Sequence, residues 1–194
     1  AFNVQYRLEK IVKLLVKNLY KKNKIQNLCL AGGVAMNCKM NGELSKANYI
    51  KKIFVQPAAS DNGVSLGAAQ LLTLKKGGKL KTKLENVYYG PEYSDYEIIK
   101  FLKESKLPFY KPKNIFKEVA KLIYKKKIIC WFQGKMEFGA RALGNRSIIA
   151  SPLYKDMKKK LNLEVKHREN WRPFCPSILQ EDYEKYIDSD FKSR

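Results

Sequence analysis

Histidine is almost absent from this chain of 194 residues, with His167 its single representative. A histidine-rich metal site therefore cannot be built from this chain alone. The four cysteines, Cys29, Cys38, Cys130 and Cys175, show no CxxC spacing, and three lie in apolar surroundings. They are expected to be buried or half-buried thiols of a reducing compartment, not a disulfide framework. No apolar run reaches membrane-spanning length and no signal-peptide pattern is seen. The expectation is a cytoplasmic protein with no membrane partner. Repeats and low-complexity tracts are also lacking. Arginine is scarce too, at six against 33 lysines.

What is present is a foldable, strongly basic chain. Hydrophobic residues make up 45% of it, enough for a real core, which excludes a disordered tail. The formal net charge of +21 makes nucleic acid the first partner to consider. The lysines are spread through almost every segment, however, as on an ordinary solvated surface, so a nucleic-acid partner is not the favoured reading. The arginines are not spread. Arg141, Arg146, Arg168 and Arg172 fall within 32 residues. In a chain that otherwise uses lysine, that clustering marks positions needing a rigid bidentate fork, which suits phosphate or carboxylate. The competing reading pairs these arginines with local acids such as Glu137, Glu164 and Glu169.

Periodicity predicts a mixed α/β chain. Residues 3–23 carry apolar positions at helical spacing. Asn27–Ala31 reads as a strand running into Gly32-Gly33, followed by a helix over residues 34–47. Such a strand–turn–helix offers free backbone N–H groups that glycine lets a phosphate approach. Lys52–Gln56 reads as the next strand, and Asp61 stands at the following strand-to-helix junction, where capping is its usual work. Residues 79–93 read as a linker between two units, 1–78 and 94–194. Beyond it, Ser94 and Glu97 form a capping-box pattern. A strand at Pro108–Tyr110, a helix at Ile115–Tyr124 and a strand at Ile128–Phe132 come next. A helix at Asp156–Leu163, a strand at Pro176–Leu179 and a helix from Glu181 complete the prediction.

The stretch from Gly134 to Phe174 carries most of the chemistry. It is not a Walker A loop, because Ala140-Arg141 follows Gly139 where Lys-Ser/Thr is required. Its glycines expose backbone N–H groups, while Lys135, Arg141 and Arg146 bring positive charge. Such a loop can stabilise the charge of phosphoryl or adenylyl transfer. Asn145 and Ser147 can bond phosphate or ribose oxygens. Lys166, Arg168 and Arg172 form a second cluster that would close the far side, with His167 a candidate acid or base.

Four segments, LAGGVAMNCKMNG, QPAASDNGVSLGAA, GKMEFGARALGNRSIIASP and KHRENWRPFCPSIL, together resemble the carbamoyltransferase family of the NodU and antibiotic O-carbamoyltransferase type. They run in order from residue 30 to residue 179. The resemblance implies the end of an actin/hexokinase-like domain, akin to the tRNA threonylcarbamoylation protein, followed by a YrdC-like α/β domain. It implies that the YrdC-like domain makes carbamoyl adenylate from ATP and carbamoyl phosphate. The first domain then passes the carbamoyl group to a hydroxyl of a small-molecule or glycan acceptor, helped by a divalent metal of the iron or magnesium/manganese class. By the same resemblance Gly32, Gly33 and Asn37 lie at the first domain's nucleotide site, and Asp61 is a metal ligand instead of a cap. Lys135, Arg141, Arg146, Arg168 and Arg172 would act in adenylation, with Gly144, Asn145, Ser147 and Lys166 binding the nucleotide. A homodimer is compatible with it.

The sequence departs from the family pattern in lacking the HxxxH metal pair, in stopping soon after the RPF-PS segment, and in having Ala140 where proline is common. The expectation is a fragment that carries much of the adenylation site but is catalytically incompetent alone. The competing readings are a basic α/β RNA-binding module and a non-catalytic YrdC-related module.

Overall fold

The computed structural model describes residues 2–80 and 84–187. It confirms a mixed α/β chain and divides it into two compact units, Ala1–Glu85 with Ile178–Arg194 and Asn86–Ser177. Among the described residues no helix is long and apolar enough to cross a membrane.

The first unit is built from α1 (Phe2–Asn23), β1 (Asn27–Leu30), α2 (Cys38–Ser45), β2 (Lys52–Val55) and α3 (Val64–Lys75). β1 and β2 pair in parallel, Asn27 opposite Lys52 and Leu30 opposite Val55. Two strands in parallel need a crossover, and α2 supplies it. The core lies where α1 and α2 meet that sheet. Val16, Met40 and Leu44 are buried there against Leu8, Val12, Leu28, Leu30, Tyr49, Ile50 and Ile53. Polar bonds along the α1–α2 seam fix its register. Lys13 pairs with Glu43 at 2.7 Å, Lys39 with Glu9 at 3.7 Å, and the amides of Gln5 and Asn37 bond reciprocally.

The second unit holds α4 (Asp95–Glu104), α5 (Ile115–Tyr124), β3 (Ile129–Phe132), β4 (Arg146–Ile149) and α6 (Met157–Lys160). β3 and β4 are antiparallel, with Ile129 opposite Ile149 and Phe132 opposite Arg146. After α6 the chain loosens into a π-helix, Leu161–Val165. Val87 and Pro91, inside the stretch read as a linker, hydrogen-bond through their carbonyls to Phe138 and Met136. The chain then returns to the first unit, where the short α7 (Tyr183–Tyr186) follows a 3₁₀ turn at Gln180–Asp182.

Several expectations need correction. The helix foreseen over residues 34–47 is two pieces, a 3₁₀ turn at Gly33–Met36 and then α2. Asn37 makes the break, because its side chain accepts from the Met40 N–H and a capping asparagine sits in extended backbone. Neither Pro108–Tyr110 nor Pro176–Leu179 is a strand. Proline brings no N–H to a ladder, and neither segment finds a partner. Asp156–Leu163 is not one α-helix but α6 running into the π-helix. Asp61 caps nothing: it opens a 3₁₀ turn, Asp61–Gly63, and no side-chain cap bond is made there or at α3. All four cysteines are exposed. Cys29 and Cys130 sit in strands of two-stranded sheets at positions that alternate with the covered ones. The capping box stands as foreseen, Ser94 and Glu97 each bonding the other's backbone N–H.

Leu44 has no exposed surface and joins α2 to the sheet. Leu44→Ala should therefore destabilise the chain by about 3 kcal/mol, read as a lowered midpoint in urea denaturation. A loss below about 1 kcal/mol would show that this cluster is not the core of the first unit.

Candidate functional site

β3 and β4 form a hairpin whose connection, residues 133–145, is far longer than a tight turn needs. A loop of that length holds one shape only if its backbone groups find partners. Glu137 provides them. Its residue is 7% exposed, and one carboxylate oxygen, Oε1, accepts from the N–H groups of Leu143 (2.7 Å), Asn145 (2.7 Å) and Arg146 (3.2 Å). Burial by itself pushes this carboxyl upward. The backbone N–H bonds from Leu143, Asn145, Glu137 itself and Arg146 outweigh it and hold the pKa at about 2. The carboxylate is thus ionised and cinches residues 137–146 into a ring.

A second set of bonds fastens the neck of that ring. Arg146 lays its guanidinium on the Phe132 ring, 3.6 Å from the centroid. It also donates to the carbonyls of Gln133 (2.6 Å), Asn145 (3.0 Å), Gly134 (3.1 Å) and Pro91 (3.3 Å). Asn145 donates to the Lys135 carbonyl at 2.6 Å and accepts from Gln133 at 3.2 Å. The Ser147 hydroxyl accepts from the Gly144 N–H. Gly134, Gly139 and Gly144 have φ of 46°, 106° and 107°, conformations that side chains resist. Three candidates foreseen as ligand-facing, Arg146, Asn145 and Ser147, are thus engaged within the loop itself. Lys135 and Arg141 differ. Both are exposed, and among the described residues neither side chain makes a hydrogen bond or ion pair. The ring presents them to solvent.

The other cationic segment follows the π-helix. Lys166 is exposed and closes the π-turn through its N–H to the Leu161 carbonyl. His167 has φ of 46°, which turns the chain back so that the Arg168 N–H reaches the Asn162 carbonyl. Arg172 pairs with Glu169 at 2.7 Å, as the local-acid reading held for that arginine. Leu163, His167, Arg168, Glu169 and Arg172 line an open depression of about 550 Å³. Among the described residues no hydrogen bond or ion pair joins this segment to the hairpin loop.

In the first unit, Gly32-Gly33 follows the carboxyl end of β1 and Asp61 lies beyond that of β2. The Gly32 N–H bonds the Ala59 carbonyl at 2.6 Å, which ties the two connections together. Ligands of parallel α/β sheets bind at this end of the strands. Gly32 has φ of 92° and a Cβ there would meet no atom within 4 Å, as at Gly33, so backbone conformation and not crowding asks for glycine at Gly32. Asn37 caps α2 and bonds Gln5. Among the described residues no group of three or more His, Cys, Asp or Glu gathers, at Asp61 or elsewhere.

Residues 1–70 match the family described as Carbamoyltransferase N-terminus, and residues 120–194 match Carbamoyltransferase C-terminus. The chain belongs to the carbamoyltransferase family. Nodulation protein NolO of Bradyrhizobium diazoefficiens is 38% identical over 190 residues, covering 96% of this chain and 35% of the relative. Nodulation protein U of Rhizobium fredii is 34% identical over 156 residues, covering 80% of this chain and 25% of the relative. An uncharacterized protein of Synechocystis is 39% identical over 199 residues, covering 98% and 32%. The chain spans about a third of the length of the curated relatives it matches.

Sequence reasoning missed two residues that build the site. Glu137 entered it only as an arginine's partner, although a single acid among three glycines and three cations was the available signal. Asn162 left no signal at all. If Glu137 holds the loop, its contribution is complete above the ordinary carboxyl value of 4.5 and fades as pH falls towards about 2. Glu137→Gln should therefore lower stability by about 2–3 kcal/mol at neutral pH. It should also flatten the acid limb of stability against pH, followed by urea unfolding at several pH values. An unchanged acid limb would refute the assignment.

Proposed function

We propose that this chain is part of an O-carbamoyltransferase, with residues 1–78 ending an actin/hexokinase-like domain and residues 94–194 belonging to a YrdC-like domain. In the intact protein carbamoyl phosphate is hydrolysed to carbamate and inorganic phosphate, and a carbamate oxygen then attacks the α-phosphorus of ATP with pyrophosphate leaving. The resulting carbamoyl adenylate gives up its carbamoyl group to a hydroxyl of a small-molecule or glycan acceptor, which loses its proton as AMP leaves. Family membership supports the transfer chemistry. The observation that carries the adenylation step is the Glu137-bound loop, which orders its own backbone internally and leaves the side chains of Lys135 and Arg141 unengaged.

That arrangement suits nucleotide activation. Negative charge builds on the departing pyrophosphate, and fixed cations lower its energy without having to reorganise. Lys135 and Arg141 take that role, while Gly144, Asn145, Arg146 and Ser147 keep the loop in shape. Lys166, Arg168 and Arg172 offer a second phosphate-binding edge. Gly32, Gly33 and Asn37, at the carboxyl end of β1, fit the nucleotide site of the transfer domain. Asp61 alone does not make a site for a divalent ion. A metal of the iron or magnesium/manganese class would draw its other ligands from polypeptide outside this chain, so the step described runs through the cations instead.

Calorimetric titration with ATP and with carbamoyl phosphate tests the reading. The chain should bind ATP, and Arg141→Ala should weaken binding about tenfold or more, as expected for one charge-assisted bond. Repeating the titration across salt separates the competitor. Failure to bind ATP, together with RNA affinity that falls steeply with salt, would replace this reading with that of a basic RNA-binding module.

A further inference from the structure

Asn162 lies in the π-helix and has no exposed surface. A fully buried amide must find partners for its two N–H groups and its oxygen. Here all of them come from the cationic segment that follows. Nδ2 donates to the Asn170 carbonyl at 3.2 Å and to the Arg172 carbonyl at 3.0 Å. Oδ1 accepts from Arg168 Nε at 2.8 Å. The Asn162 main-chain carbonyl receives the Arg168 N–H at 2.9 Å. One side chain therefore grips the segment at three positions, Arg168, Asn170 and Arg172.

The way the arginines are held is informative. Arg168 is tethered by Nε and rests on Phe174, 4.9 Å from the ring centroid. Arg172 is likewise tethered by Nε, to Glu169 at 2.7 Å. Among the described residues the Nη groups of both make no hydrogen bond. An arginine anchored by Nε keeps its planar pair of Nη groups, which is the fork that fits a phosphoryl group. Both arginines line the open depression, together with Leu163, His167 and the Glu169 that tethers Arg172. The π-turn and the left-handed His167 are the backbone distortions that bring Asn162 inward and the arginines round it. Irregularities of this sort persist only where surrounding bonds hold them.

We infer that Asn162 is the positioning residue of this segment: it sets the Arg168 guanidinium, and through the Arg172 carbonyl the second arginine, to grip one phosphoryl group of an anionic ligand. The inference rests on the reading of this segment as a phosphate-binding edge. Asn162 touches no ligand and acts through Arg168 first, because that is the side chain it bonds directly.

The test is a double-mutant cycle on the full chain, with pyrophosphate as the probe in calorimetry and urea unfolding as the control. Asn162→Ala and Arg168→Ala should each weaken pyrophosphate about tenfold, the effect of one charge-assisted contact. The double variant should be weaker than Arg168→Ala alone by clearly less than the tenfold that Asn162→Ala costs the wild-type chain, because only the hold on Arg172 is then left to lose, although Asn162→Ala costs stability in both backgrounds. Asn162→Asp covers the case in which the alanine variant does not fold. It keeps an acceptor for Arg168 but loses both donors, so affinity should fall while the fold stands. Losses that add in the cycle, or unchanged affinity in a folded Asn162→Asp variant, would overturn the role of Asn162 and leave the anion site standing. A wild-type chain that does not bind pyrophosphate would overturn the anion-site reading, and this inference with it.

Discussion

The second unit depends on one buried carboxylate. A long hairpin loop rich in glycine and cations has no reason to hold a single shape: its glycines favour many conformations and its like charges repel. Glu137 reverses both tendencies by accepting several backbone N–H groups on one oxygen and by placing a negative charge inside the ring. Because those N–H groups are satisfied by Glu137, the loop does not need its cationic side chains for its own structure at every position. Arg146 is used to fasten the neck, which leaves Lys135 and Arg141 unengaged. Cationic density without an internal anion would make a loosely solvated surface; with one, it makes a loop of defined shape.

The same principle, applied with an amide, shapes the segment after the π-helix. Asn162 carries no charge, so it cannot compete with a bound anion for the arginines it holds. A buried carboxylate at that position would pair with Arg168 and reduce its pull on phosphate. The fold thus places its charged organiser beneath a loop where backbone N–H groups are the partners, and its neutral organiser where a guanidinium is the partner.

The first unit is organised differently. Its parallel strand pair and the Gly32–Ala59 hydrogen bond bring Gly32-Gly33 and Asp61 to one end of a sheet. Large apolar side chains of α1 and α3, among them Leu14, Leu15, Leu71 and Leu72, remain exposed. The curated relatives it matches are about three times as long as this chain.

What the sequence determined by itself was whatever depends on near neighbours. Helical spacing set α1 and α5, Ser94 and Glu97 set the start of α4, and the joint occurrence of four motifs carried the family. What needed the fold was whatever depends on which distant group a polar side chain meets. The partners of Asn37, Glu137 and Asn162 cannot be read from residue type, since a cap, a ligand and a loop organiser use the same atoms. Cysteine burial failed for a related reason: a two-stranded sheet leaves alternate positions uncovered, whatever their hydrophobicity. Clustering located the arginines; only tertiary structure separated Arg146, whose bonds are satisfied by carbonyls and an aromatic ring, from Arg141, whose exposed guanidinium makes no hydrogen bond or ion pair among the described residues.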